Sequence, residues 1–175
     1  MIKVVWLTQY NVYELLPEIQ LTREVVLHSS SWIHTLSEAL ALEKEISLHI
    51  ITHSPLVSHS QTIGKNGIEF HVIKYNFPFT DRGFPEYLPF DKLSGYHSFK
   101  KEAAEKIREL RPDVLHVHGT EGGYFTAAID SDLPCIVSIQ GIISEYIKIE
   151  PSVAGYLQIF YERQAVQRAK YFGCR

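Results

Sequence analysis

Cysteine is scarce: Cys135 and Cys174 are the only two in 175 residues. Neither has a partner at metal-ligand spacing, so a disulfide framework and a cysteine-rich metal site are excluded, and a reducing, cytoplasmic setting is the expectation. No apolar run approaches the ~20 residues of a membrane span. The opening run Ile2 to Leu7 is too short for a signal peptide, with Lys3 inside it and Gln9 close behind. Positive charge is not in surplus either. A net charge of -3 and a pI of about 6.3 argue against the basic face of a nucleic-acid binder. Glycine is missing from the turn Thr8-Gln9-Tyr10-Asn11, the second strand ends Thr52-His53-Ser54 without a carboxylate, and no Walker-type lysine follows a glycine-rich loop. Those absences argue against NAD and ATP sites, whose phosphates need such a backbone cradle.

What is present describes a folded α/β domain. The chain is 45% hydrophobic and 21% charged, near the average for globular proteins. At 20.1 kDa, surface scaling buries roughly 70% of the unfolded chain's area, enough for a core without staples. Ile2 to Leu7 reads as a buried parallel strand. Ile46 to Thr52 is a second strand and Ile68 to Lys74 a third, the latter entered through an Asn66-Gly67 hairpin corner. Val114 to His118 and Cys135 to Ile139 are two more. Between them, Ser30-Ser31 cap a helix carrying Ile33, Leu36 and Leu40. Asp91 to Leu110 has helical periodicity ended by Pro112, Tyr124 to Ile129 is a short helix, and Tyr156 to Tyr171 a long one. Alternating strands and helices predict a Rossmann-like open parallel sheet with helices on both faces. Residues 76–90 stand apart: three prolines among five aromatics (Phe77, Phe79, Phe84, Tyr87, Phe90), read as apolar cover at the sheet edge or as a ligand platform.

Ligands of such sheets bind beyond the carboxyl ends of the strands, which selects a few residues. His116 and His118 alternate on a strand and so share a face, a possible metal pair, but only His53 offers itself as a third ligand at a strand end. The remaining histidines, His28, His49, His59, His71 and His97 among them, are scattered without ligand spacing. Gly119-Thr120-Glu121-Gly122-Gly123 lets backbone approach a ligand closely at a helix start, suiting hydroxyls or an anion. Glu121 can accept from sugar hydroxyls or act as a base, or simply be solvated on a plain turn. Gln140-Gly141 ends the neighbouring strand and projects into the same crevice.

Taken together, Asp113-Val114-Leu115-His116-Val117-His118-Gly119, then Pro134-Cys135-Ile136-Val137-Ser138-Ile139-Gln140-Gly141, then Tyr161-Glu162-Arg163 leading toward Ala169-Lys170-Tyr171, resemble the N-terminal domain of family 4 (group 1) glycosyltransferases of the GT-B fold. The resemblance covers most of the chain, with Ser30-Ser31-Trp32-Ile33-His34 and Leu36 to Leu40 where the family has its first cleft helix. It implies retaining transfer of a sugar from a nucleotide-sugar donor to a glycan or glycolipid acceptor, with no obligate metal and no cofactor. In the family this domain holds the acceptor and a second Rossmann-like domain most of the donor. The implied catalytic or hydroxyl-binding residues are Gln140, His118 and Glu121, with Ser30, Ser31, Trp32, Gly119, Gly122, Gly123 and Gly141 touching acceptor or donor.

Two departures stand out. Ser30-Ser31 replaces the family's usual Gly-Gly, and Gln140 stands where many members carry a histidine. Glutamine can hydrogen-bond a hydroxyl but cannot relay a proton at neutral pH. The family's donor half would follow a further strand near Phe172 to Arg175. The expectation is therefore that residues 1–175 are one acceptor-side domain of a longer enzyme, inactive alone, with the donor-binding domain outside this chain. The rival expectation is a non-catalytic carbohydrate- or anion-binding module, motivated by Gln140 and the aromatic segment. No nucleic-acid partner is expected. Peripheral membrane contact is left open, since the Asp91 to Leu110 helix has balanced charge and no basic face.

Overall fold

The sheet grows in both directions from β1 (Ile2–Leu7). Its last three residues, Val5, Trp6 and Leu7, are buried on both faces, as a continuous apolar run in a parallel sheet requires. On one side β1 pairs in parallel with β2 (Ile46–Ser54), which pairs in parallel with β4 (Ile68–Lys74); β3 (Gln61–Lys65) adds an antiparallel edge. On the other side follow β5 (Val114–His118), β6 (Cys135–Ile139) and β7 (Tyr171–Cys174), all parallel. The order is β3-β4-β2-β1-β5-β6-β7. This computed structural model describes residues 1–16, 31–54, 57–74, 90–121 and 123–174.

Helices cover both faces, but unequally. α1 (Val12–Leu15) and α2 (Ser31–Ala41) pack Val12, Leu15 and Ile33 onto Trp6, Leu48, Ile50, Phe70 and Val72. The opposite face receives Phe99, Ala103 and Ile107 of α4 (His97–Leu110), all five residues of α5 (Tyr124–Ala128), and Ala165 of α7 (Val153–Arg168). Right-handed crossovers explain the split. The step from β1 to β2 runs one way along the sheet and puts α2 on one face; the steps β4 to β5, β5 to β6 and β6 to β7 run the other way and put α4, α5 and α7 on the other. Among the described residues, β5, β6 and β7 are therefore left without a helical roof on the α2 side.

The structure redraws several predicted elements. β1, β4, β5 and β6 have the expected bounds, and β2 runs on to Ser54. The predicted helix from Asp91 to Leu110 is instead α3 (Phe90–Leu93) and α4, because Gly95 and Tyr96 are left-handed, with φ of 65° and 56°. Tyr96 is turned there to bury its ring (4% exposed). The last helix is displaced toward the amino terminus, ending at Arg168, since Tyr171 pairs Ile136 as the start of β7. α1, α6 (Ile143–Ile149) and β3 are additional. Each is short, and β3 is polar, so none has the periodic apolar signal that a sequence reading needs. Leu36 is not in the core but 44% exposed. The aromatic segment lies outside the described residues except for Phe90, which is itself exposed. No helix among the described residues is long and apolar enough to cross a membrane.

Candidate functional site

The unroofed half-sheet forms a groove of about 660 Å3 between α2 and β5, β6 and β7, within the size range of small-ligand clefts. Trp32, Thr35, Leu36 and Ala39 form its α2 wall. His116, His118, Ser138, Gln140 and Gly173 come from the strands, at alternate positions that the pleat directs to one face. The groove sits beside the β1–β5 junction, where the strand order reverses, and reaches the carboxyl ends at His118 and Gln140.

His118 is the most unusual side chain in it. Its ring packs edge-on to Trp6 (4.4 Å between centroids), tilts against Trp32 (5.4 Å) and lies 3.9 Å from His116. It is only 4% exposed, and neither ring nitrogen has a hydrogen-bond partner among the described residues. Burial, reinforced by His116, pushes its pKa down to about 3. At neutral pH it is therefore a neutral imidazole, with one N–H to donate and one nitrogen to accept. His116 differs: its Nε2 lies 2.7 Å from Ser138 Oγ, and burial lowers its pKa as well. Among the described residues, the two find no third ligand for a metal. His53 is on the opposite face, stacked on Tyr124 (5.1 Å), and among the described residues no other His, Cys, Asp or Glu joins them at coordinating distance.

The turn after β5 is held from behind. Gly119 takes φ 85°, and its N–H donates to Ser138 O (2.8 Å). The Glu121 carboxylate folds back over it, accepting from Thr120 N (2.8 Å), and a Cβ at 119 would come within 2.5 Å of that carboxylate. Glu121 thus closes its own turn through one oxygen, and among the described residues no donor holds the other. Gly123, at φ 77°, does not line the groove; it lies under the Tyr96 ring on the far side of the sheet. Tyr96 Oη donates to Gln158 Oε1 (2.9 Å), and Gln158 Nε2 donates to Thr120 O (3.2 Å). This buried chain ties α4, α7 and the turn together. At the other strand ends, Tyr10 N donates to the buried Thr52 Oγ1 (3.1 Å), and Gly141 packs against Tyr146, where a Cβ would meet the ring at 2.8 Å. Ser31 opens α2; Ser30 and Gly122 lie outside the described residues.

The Tyr161-Glu162-Arg163 motif also acquires a physical role. Glu162 is buried (7% exposed), and its two oxygens accept from the first amides of α6, Ile143 N (2.7 Å) and Ser144 N (3.2 Å). It caps a helix start with charge, directly after Gln140-Gly141. Glu162→Ala should lower stability by about 2 kcal/mol, since charge-assisted bonds of this kind are lost. Urea denaturation checks this, and a loss under 0.5 kcal/mol contradicts it. Sequence reasoning misses Ser138, Gln158 and Thr35; Leu36 and Ala39 fall on the helix that the resemblance places at the cleft, and they line the groove. Ser138 was findable from its position two before Gln140 on the same strand. Gln158 carries no such signal.

Residues 25–174 match the family model described as glycosyl transferase 4-like. No curated protein matches the sequence significantly. Among solved structures, sucrose-phosphate synthase from Thermosynechococcus elongatus superposes with a TM-score of 0.68 at 10% identity, covering 98% of this chain and 42% of that one. A structure described as trehalose-6-phosphate from E. coli bound with UDP-2-fluoro glucose superposes at 0.46, again at 10% identity, over 95% of this chain and 37% of that one. The chain thus spans about two-fifths of the length of these structures. The fold is Rossmann-like, and the chain belongs to the glycosyl transferase 4-like family.

Proposed function

We propose that this chain is the acceptor-binding domain of a retaining glycosyltransferase, one that moves a sugar from a nucleotide-sugar donor to a glycan or glycolipid acceptor. The observation that carries the reading is His118: a buried, neutral imidazole that lines a ligand-sized groove, with neither nitrogen partnered among the described residues. An acceptor hydroxyl, itself donor and acceptor, is complementary to it. Gln140 binds a second hydroxyl from the end of β6, and the free Glu121 oxygen a third. The Gly119 turn positions the backbone for the acceptor or the donor diphosphate, while Trp32 supplies an apolar wall of the kind sugar rings pack on. A donor-binding domain outside this chain completes the cleft, and no step requires a metal or further cofactor.

The decisive experiment is a nucleotide-sugar screen on a protein carrying both this chain and its donor-binding domain. Transfer or hydrolysis of at least one donor is expected, with Gln140→Ala lowering kcat/KM about tenfold, the worth of one hydrogen bond to a reacting hydroxyl. Failure with every donor overturns the enzyme reading. Turnover unchanged by Gln140→Ala shows that the hydroxyl Gln140 holds is not the reacting one. This chain alone should bind nucleotide sugars weakly or not at all, and tight binding by calorimetry contradicts the acceptor-side assignment.

A further inference from the structure

A second cluster of chemistry lies near the amino ends of the strands, away from the groove and on the opposite face of the sheet. His49 of β2 is the direct register partner of Glu69 on β4, and His71 follows two residues later on the same face. Residues scattered in sequence are thereby brought to one spot. His49 Nδ1 lies 3.2 Å from His71 Nε2 and 3.2 Å from Glu69 Oε2, and His71 Nε2 lies 4.0 Å from that same oxygen. Both imidazole side chains are buried (8% and 5% exposed), whereas Glu69 is 56% exposed.

The geometry points to a binding site for a zinc-class divalent cation formed by His49 Nδ1, His71 Nε2 and the Glu69 carboxylate. Bonds of about 2.0–2.1 Å at a tetrahedral angle set neighbouring donors about 3.3 Å apart. The two short separations already match that edge, and the exposed Glu69 carboxylate closes the third by rotation. The outward-facing ring nitrogens are tied as well: His49 Nε2 to Ser47 Oγ (3.3 Å) and His71 Nδ1 to Thr62 Oγ1 (3.0 Å). When those nitrogens carry the protons and donate to the hydroxyls, the inward pair is free for metal, so the tautomers a metal needs are the ones the hydroxyls support. Two imidazoles and one carboxylate suit zinc and its late first-row neighbours rather than calcium or magnesium, which prefer oxygen alone. The nearby cation Lys106 is turned onto Glu109 (2.6 Å), which offsets its charge. The exposed Glu69 leaves the remaining coordination position to solvent. Held this way, the ion clamps β2 to β4 and, through Thr62, steadies β3.

The test uses the untagged 175-residue chain, stripped with EDTA and titrated with ZnCl2 by calorimetry, with CoCl2 as a visible-absorption probe of coordination. One equivalent of Zn2+ is expected with micromolar or tighter affinity, together with four-coordinate Co2+ bands and a raised Tm. Glu69→Gln, a surface change that leaves the fold intact, should weaken binding at least tenfold, and His71→Gln should abolish it. Substoichiometric binding overturns the site. So does one equivalent bound equally well by wild type and Glu69→Gln.

Discussion

Replacing Gly123 by alanine is expected to destabilise the chain by about 3 kcal/mol, through two separable costs. The left-handed backbone at φ 77° penalises any Cβ by about 1–2 kcal/mol. The new atom would also sit 2.4 Å from Tyr96 Cγ and 2.8 Å from its Cβ, so the ring must move. That ring is buried, sits on a left-handed residue, and is pinned by its bond to Gln158, so it yields only by breaking the chain that holds Thr120. Overpacking of this kind costs about 1–3 kcal/mol. For a domain of this size the sum should lower Tm by roughly 6–12 °C. Gly64 is the matched control: it lies in edge strand β3 with nothing among the described residues within 4 Å of a built Cβ, so Gly64→Ala should change little. Equal melting temperatures for the two variants would sink the explanation.

Acidification from pH 7.5 to 5 is expected to cost several kcal/mol of stability when measured in EDTA. An unfolded histidine takes up its proton near pH 6.5, but buried His118 does so only near pH 3 and His71 near pH 4. Between those values the unfolded state binds more protons, so stability falls as pH falls; above pH 6.5 both states are neutral and the contribution is flat. For His118 the loss by pH 5 is about 2 kcal/mol, from 1.36 kcal/mol per pH unit over the window. His71, whose pKa is lowered by burial, by His49 and by Lys106, adds to it, and His49 and His116 shift the same way. Asp130, with its pKa lowered by Lys100 and Arg168, acts in the same direction only in more acidic solution. Urea midpoints across the range test this. A flat profile between pH 7.5 and 5 contradicts it, and His118→Asn should remove a recognisable share of the slope.

These expectations also mark where sequence and structure part. The central strands are legible because their apolar runs are long and β-branched, and four of them have the bounds that reading predicts. The position of His118 and Gln140 beside the groove is legible too, since strand ends in an open α/β sheet border the crevice. What escapes is whatever depends on contacts between distant segments. Gln158 and Glu162 sit on the buried stripe of α7, while Val153, Tyr156 and Phe160 of the same helix are 55–65% exposed. A pattern reading assigns the apolar residues to the core and is misled, because two backbone-binding polar groups occupy that stripe. His49 and His71, 22 residues apart, meet only through strand register. The groove itself follows from where the crossovers fall, and no local motif encodes it.

The Tyr96–Gln158–Thr120 chain has a consequence for engineering. The backbone that presents Gly119 and Glu121 is propped from the far side of the sheet by a helix that never enters the groove. Changes at position 158 would act on that backbone without altering any side chain that lines the groove. A directed-evolution library aimed at what the groove binds would therefore gain from sampling position 158, which a search confined to the groove walls would pass over.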